Sequence, residues 1–166
     1  MTVYDRMHDQ KIKVSLLPIK FNTAAVSGAP ILGDNVVDTN GYKAANIYVV
    51  SGAAVDSGSS YTIRFMGSPD NSTWTAITTS NGLINSNITV DGSSTMSAPG
   101  TYATISTQSQ TIANADGASV RRFGYVGSAR YLRVDILSTS GTLTNGQIIC
   151  GFVELLEPDV KPVLQD

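Results

Sequence analysis

Hydrolytic or transfer chemistry needs a nucleophile beside a base, and this sequence holds one histidine, His8, one cysteine, Cys150, and two glutamates, Glu154 and Glu157. His8 lies in a polar stretch near the start of the chain, so a Ser-His-Asp or Cys-His constellation would require that stretch to dock across the domain. Cys150 falls in the apolar run Ile148-Ile149-Cys150-Gly151-Phe152-Val153 and reads as a small buried hydrophobe. Being alone, it forms no internal disulfide. Glu154 takes the outward phase of an expected strand, where a solvated charge is the simplest reading. Asp34 and Asp38 are the pair closest to a calcium pattern, but the Asp-x-[Asp/Asn]-x-[Asp/Asn]-Gly spacing is missing and both read as turn formers. No Gly-x-x-x-x-Gly-Lys-[Ser/Thr] or Gly-x-Gly-x-x-Gly pattern cradles a phosphate. The expectation is a protein with no catalytic residue, no metal site and no cofactor.

The basic residues offer a second kind of chemistry. Arg121, Arg122, Arg130 and Arg133 fall within thirteen positions and interleave with Phe123, Tyr125 and Tyr131. Together they could bind an anion or stack on a base. Arginines on the polar face of a strand, covering apolar surface with their stems, account for the same pattern. An ion pair or a protein interface, with Arg121 and Arg122 as its candidate residues, fits better than nucleic acid. The formal net charge of −2 supplies no global field to hold nucleic acid or an anionic membrane.

The elements that must position these groups are strands. In Tyr61-Thr-Ile-Arg-Phe-Met, the residues Tyr61, Ile63 and Phe65 share one face, and in Tyr131-Leu-Arg-Val-Asp-Ile-Leu, Leu132, Val134 and Ile136 face inward against Tyr131, Arg133 and Asp135. Ala45–Val50, Trp74–Ile77, Arg122–Val126 and Ile148–Leu156 are rich in β-branched and aromatic residues and read as further strands. Asn40-Gly41, Ser57-Gly58, Asn81-Gly82, Asp91-Gly92, Asp116-Gly117 and Asn145-Gly146 supply turns that tolerate positive φ. No dozen residues keep a helical period. The fold class expected is all-β: an antiparallel β-sandwich or jelly-roll-like domain.

With 166 residues, 42% of them hydrophobic and 14% charged, the chain has enough apolar content for one core. The body is expected over 13–156, with a low-charge Ser/Thr/Gly-rich excursion over 80–119. Residues 1–12 and the segment 157–166, which carries Pro158 and Pro162, read as extended arms. Their apolar residues, Val3, Tyr4 and Met7 in one and Val160, Val163 and Leu164 in the other, are the candidate partner-binding anchors. The opening residues lack the pattern of a secretory signal, and no stretch reaches the roughly 18 apolar residues of a membrane span.

Two resemblances rest on short motifs. Asp38-Thr-Asn-Gly-Tyr42, the strand Tyr61–Phe65, Ser68-Pro-Asp-Asn-Ser-Thr-Trp74 and Ala129-Arg-Tyr-Leu-Arg-Val, in that order over roughly residues 30 to 156, resemble small structural proteins of tailed bacteriophages. In that group, β-sandwich domains decorate or cement the capsid shell. Ser68–Trp74 and Ala129–Arg133 are also similar to discoidin-like, or coagulation factor type C, domains, which bind glycans or lipid headgroups through loops. That likeness would make Trp74 and Tyr102 the ligand-stacking aromatics, although this chain lacks the disulfide common in extracellular members. The phage resemblance implies a non-enzymatic virion protein made in the host cytoplasm. Its partners would be the major capsid protein or other virion proteins, with a homodimer or homotrimer as its own assembly. The alternative is a carbohydrate-binding module of a tail or cell-surface protein.

Overall fold

The computed structural model describes residues 10–21, 32–52, 60–77, 82–89, 110–113, 119–140 and 147–158. Ten strands make up the secondary structure of these residues: β1 (Lys11–Phe21), β2 (Val37–Asp38), β3 (Tyr42–Ser51), β4 (Ser60–Ser68), β5 (Thr75–Ala76), β6 (Leu83–Thr89), β7 (Gln110–Ala113), β8 (Ser119–Tyr125), β9 (Tyr131–Ser140) and β10 (Gln147–Pro158). No helix occurs among them. The strands form two antiparallel sheets, sheet A in the order β1-β10-β3-β8-β6 and sheet B in the order β2-β9-β4-β5, with β7 also paired to β4. The chain is an all-β sandwich.

The pairings nest. β1 pairs β10, β2 pairs β9, β3 pairs β8 and β4 pairs β7, all antiparallel. Successive pairs alternate between the two sheets, so the chain behaves as one long hairpin folded in half and then rolled, the arrangement of a jelly roll. Rolling brings β10 against β3 and β9 against β4, which closes each sheet.

The period-two pattern decides what fills the interior. Ile47 and Val49 of β3, Ile149, Val153 and Leu155 of β10, Ile63 and Phe65 of β4, and Leu132, Val134 and Ile136 of β9 are all buried in one cluster. Each fully buried aliphatic side chain stabilises the fold by roughly 1.5–3 kcal/mol relative to exposure. Phe65 and Phe123 meet across the sheets with ring centroids 4.8 Å apart and planes tilted by 53°. Gly151 leaves room for this packing, because a Cβ there would come within 3.2 Å of Val134.

Several expectations change. The body extends past 13–156: Lys11 and Ile12 belong to β1, and Glu157 and Pro158 to β10. The excursion over 80–119 contributes β6 and β7, and residues 90–109 lie outside the described set. Asp135, placed on the solvent phase of β9, has no exposed surface. Its carboxylate is enclosed by Arg133, by Arg64 and by a strap, Leu32–Val36, that bridges β1 and β9. Gly33 N–H donates to Asp135 Oδ1 at 2.9 Å, Asn35 N–H donates to Ser15 O at 2.9 Å, and Leu17 N–H donates to Asp34 Oδ2 at 2.9 Å. Cys150 is half-buried and outward rather than part of the core, because Ile149 and Gly151 take the inward phase. Of the turn dipeptides within the described residues, Asn40-Gly41 and the glycine of Asn81-Gly82 show positive φ at Gly41 (86°) and Gly82 (112°).

Candidate functional site

The four arginines do not form one surface. Arg121 and Arg122 are neighbours on β8 and therefore point to opposite faces. Arg121 is buried in the inward phase with Phe123 and Tyr125, and Arg122 stands on the outer face of sheet A. Arg130 lies in the turn before β9 and grips Asp38 with Nε at 3.1 Å and Nη2 at 2.9 Å, joining that turn to β2. The guanidinium holds the Asp38 carboxyl below its ordinary range. Arg133 donates to both oxygens of Asp135, at 2.7 and 3.0 Å, and its guanidinium lies 4.3 Å from the centroid of the Trp74 ring. Trp74 is half-buried and covers the Arg133–Asp135 ion pair. Asp34 and Asp38 serve backbone and arginine donors, in keeping with their reading as turn residues. No group of three or more His, Cys, Asp or Glu able to hold a metal occurs among the described residues.

The turn Ser68–Trp74 is built around Asp70, whose carboxylate accepts from Ser72 N–H at 2.9 Å, Thr73 N–H at 2.7 Å and Ser68 Oγ at 3.0 Å. These donors, the Thr73 amide first, hold its carboxyl well below the ordinary aspartate range. Asn71 completes the turn at φ 61°. Between this turn and the one preceding β9 lies a cavity of about 250 Å³ lined by Gly67, Pro69, Thr75, Ile77, Tyr125, Ser128 and Ala129. It falls short of the roughly 300–1,000 Å³ of ordinary ligand pockets. Tyr125 Oη accepts from Ala129 N–H at 2.8 Å and ties the two ends of that turn together.

The outer face of sheet A has a different character. The outward residues of β10 are Ile148, Cys150, Phe152, Glu154 and Leu156; Ile12 and Val14 of β1 lie opposite Glu154 and Phe152, and Tyr48 of β3 lies opposite Phe152 from the other side. Tyr48 and Phe152 stack with centroids 4.7 Å apart and planes within 15°. Tyr48 Oη donates to Glu154 Oε2 at 2.7 Å, and Asn46 Nδ2 donates to the same oxygen at 2.9 Å. Burial and then the adjacent Glu154 carboxylate push the Tyr48 hydroxyl above its ordinary range. Glu154 is outward, as its phase implies, but it is a half-buried acceptor rather than a free charge. The sequence signal for this face was the run Ile148–Val153, apolar in both phases, which marks a strand with two covered sides.

The positions of β1 and β10 also fix where the flanking segments attach. Lys11, at the start of β1, pairs with Leu155, and β10 ends three residues later at Pro158. The segments 1–9 and 159–166 therefore join the body side by side at one end of sheet A. Val3, Tyr4, Met7, Val160, Val163 and Leu164, as well as His8 and Tyr102, lie outside the described residues.

Fold and surfaces together define a jelly-roll sandwich with an apolar outer sheet face. No protein family's sequence profile matches this chain, and no curated protein matches it in sequence. Among solved structures, the crystal structure of SPBc2 prophage-derived protein YomS aligns with 89% of this chain and 93% of its own, at a TM-score of 0.47 and 11% sequence identity.

Proposed function

We propose that this chain is a non-enzymatic bacteriophage virion structural protein, a decoration or cement subunit that binds the assembled capsid shell and stabilises it. The observation that carries the reading is the pairing of Lys11 with Leu155 at the edge of sheet A, which sets both flanking segments at one end of a rigid body. Two adhesive segments anchored side by side act on one surface at once. Once the first is bound, the second binds as an intramolecular event at high effective concentration. In this reading each contributes apolar anchors, Val3, Tyr4 and Met7 or Val160, Val163 and Leu164. The motif likeness to small tailed-phage structural proteins supports the same assignment.

The mechanism is adhesive. Apolar side chains buried between shell subunits raise the free energy needed to separate them, with no substrate turned over. The test is retention on shells of the encoding phage. Removal of 159–166, or of 1–9, is expected to leave the melting temperature of the free protein nearly unchanged and to weaken retention, and removal of both is expected to abolish it. Doubly truncated protein that still binds shells as tightly as the full chain would sink the proposal. A positive glycan array would instead favour the carbohydrate-binding alternative.

A further inference from the structure

We infer that the cavity between the turns 69–74 and 126–130 is a socket that receives one apolar side chain of the shell protein on which this chain sits. The inference rests on the shell-binding reading and adds to it a contact made by the body itself.

Three observations carry it. The first is position. Lys11 pairs with Leu155, Leu155 with Ala45 and Ala45 with Tyr125, so these residues form one row across sheet A. Tyr125 lines the cavity. The cavity therefore lies at the end of the sandwich where both flanking segments join the body, three strand spacings or about 14 Å across the sheet from Lys11. Two segments attached on neighbouring strands, about 5 Å apart, hold a body to a surface but leave it free to pivot. A contact well to one side of them removes that freedom.

The second is shape. Gly67, Ile77 and Tyr125 form a buried floor, and Pro69, Thr75 and Ser128 an exposed rim. The bond from Ala129 N–H fixes the Tyr125 hydroxyl, so this wall is set before anything binds. At about 250 Å³ the cavity is small for an ordinary ligand, yet larger than the roughly 150 Å³ that admits a benzene. An aliphatic or aromatic side chain up to the size of phenylalanine matches it. Anchors seated in pockets of this kind carry much of the energy of an interface.

The third is charge. None of the lining residues is charged. Asp70 and Arg130, which flank them in sequence, are engaged elsewhere, Asp70 by the Ser72 and Thr73 amides and Arg130 by Asp38. Val126, in the same turn as Ser128, is 56% exposed and extends the apolar surface beyond the rim. A charged occupant would lose its water in the socket and meet no partner there, so the occupant is uncharged.

The test is retention of the full chain, with both flanking segments intact, on shells of the encoding phage. Ser128→Trp and Thr75→Trp each set an indole over the socket from the exposed rim, and Ser128→Asp brings a charge that is solvated in the free protein. Circular dichroism checks the fold of each. All three are expected to weaken retention by about tenfold or more, as the loss of a central anchor does. Lys20→Trp, exposed at the opposite end of sheet A, is expected to leave it unchanged. Rim variants that are folded and bind shells as tightly as wild type overturn the socket and leave the shell-binding reading standing. Wild type that fails to bind shells overturns both. A free protein that sediments as a dimer which the rim variants break gives the socket to a second copy. A melting temperature that the rim variants lower only while 159–166 is present gives it to that segment. Either result overturns the inference.

Discussion

A carboxylate without exposed surface must be neutralised where it stands, and Asp135 is held by two bonds from Arg133, by Gly33 N–H and by Arg64 Nη2 at 3.5 Å. Replacing a buried ion pair with apolar residues is often harmless, whereas removing one member leaves the other charge stranded. Asp135→Ala is therefore expected to lower the unfolding free energy by about 3–5 kcal/mol, measured by the urea midpoint. A loss below about 1 kcal/mol would show that water reaches the site, as it does at surface pairs. At the surface, Asp70 and Asp38 carry carboxyls depressed by their donors. A group whose folded pKa lies below its unfolded value stabilises the fold above the unfolded value, about 4, and loses that contribution as the pH falls further. The melting temperature is thus expected to change little between about pH 7 and 5 and to fall below about pH 4. Asp70→Asn should flatten part of that decline, and an unchanged acid slope in this variant would count against the assignment.

Among the elements, the strap Leu32–Val36 has the least regular structure and the most consequential placement. It binds β1 through Asn35 and Asp34, and β9 through Gly33. Ser15 Oγ donates to Asn35 O at 3.1 Å and accepts from Val134 N–H at 3.0 Å, so one buried hydroxyl joins strap, β1 and β9. A Cβ on Gly33 would lie 2.5 Å from Val134 O and 2.8 Å from Arg133 Cγ. Gly33→Ala must shift backbone, and is expected to cost about 1–3 kcal/mol, as overpacking does. Hydrogen exchange should then speed up at Leu17 and Asn35 before it does in β3, and uniform exchange would argue that the strap is not a separate unit. None of this strap is legible in the sequence, because its bonds join residues far apart. β4 and β9 are legible, since each keeps a strict apolar alternation with one face in the core. β1 escapes because Ser15 and Leu16 are both buried in sequence at an irregular register, which breaks the period of two. β2 and β5, two residues each, are too short to carry a pattern.

At the scale of the molecule, the fold class follows from short strands separated by turn residues, while the nesting of pairs does not. Pairing is set by which apolar faces meet after rolling, and Lys11 and Leu155 give no local hint that they are neighbours. The candidate surfaces divide in the same way. Clustering in sequence suggested a common site for Arg121 and Arg122, and strand alternation sends them to opposite faces. Tyr48 and Phe152 are over a hundred residues apart and stack in direct contact.

The side-by-side attachment of the flanking segments sets how the protein bears load. When both segments are pulled together away from the body, tension runs along β1 and β10. Every bond between β10 and β3, from Ile149–Ser51 to Pro158–Tyr42, is then strained at once in shear. When the two segments are drawn apart from one another, β1 peels from β10 one pair at a time, beginning at Lys11–Leu155, and each step resists separately. The same body is therefore stiff toward a joint pull on the two segments and yielding when they are drawn apart.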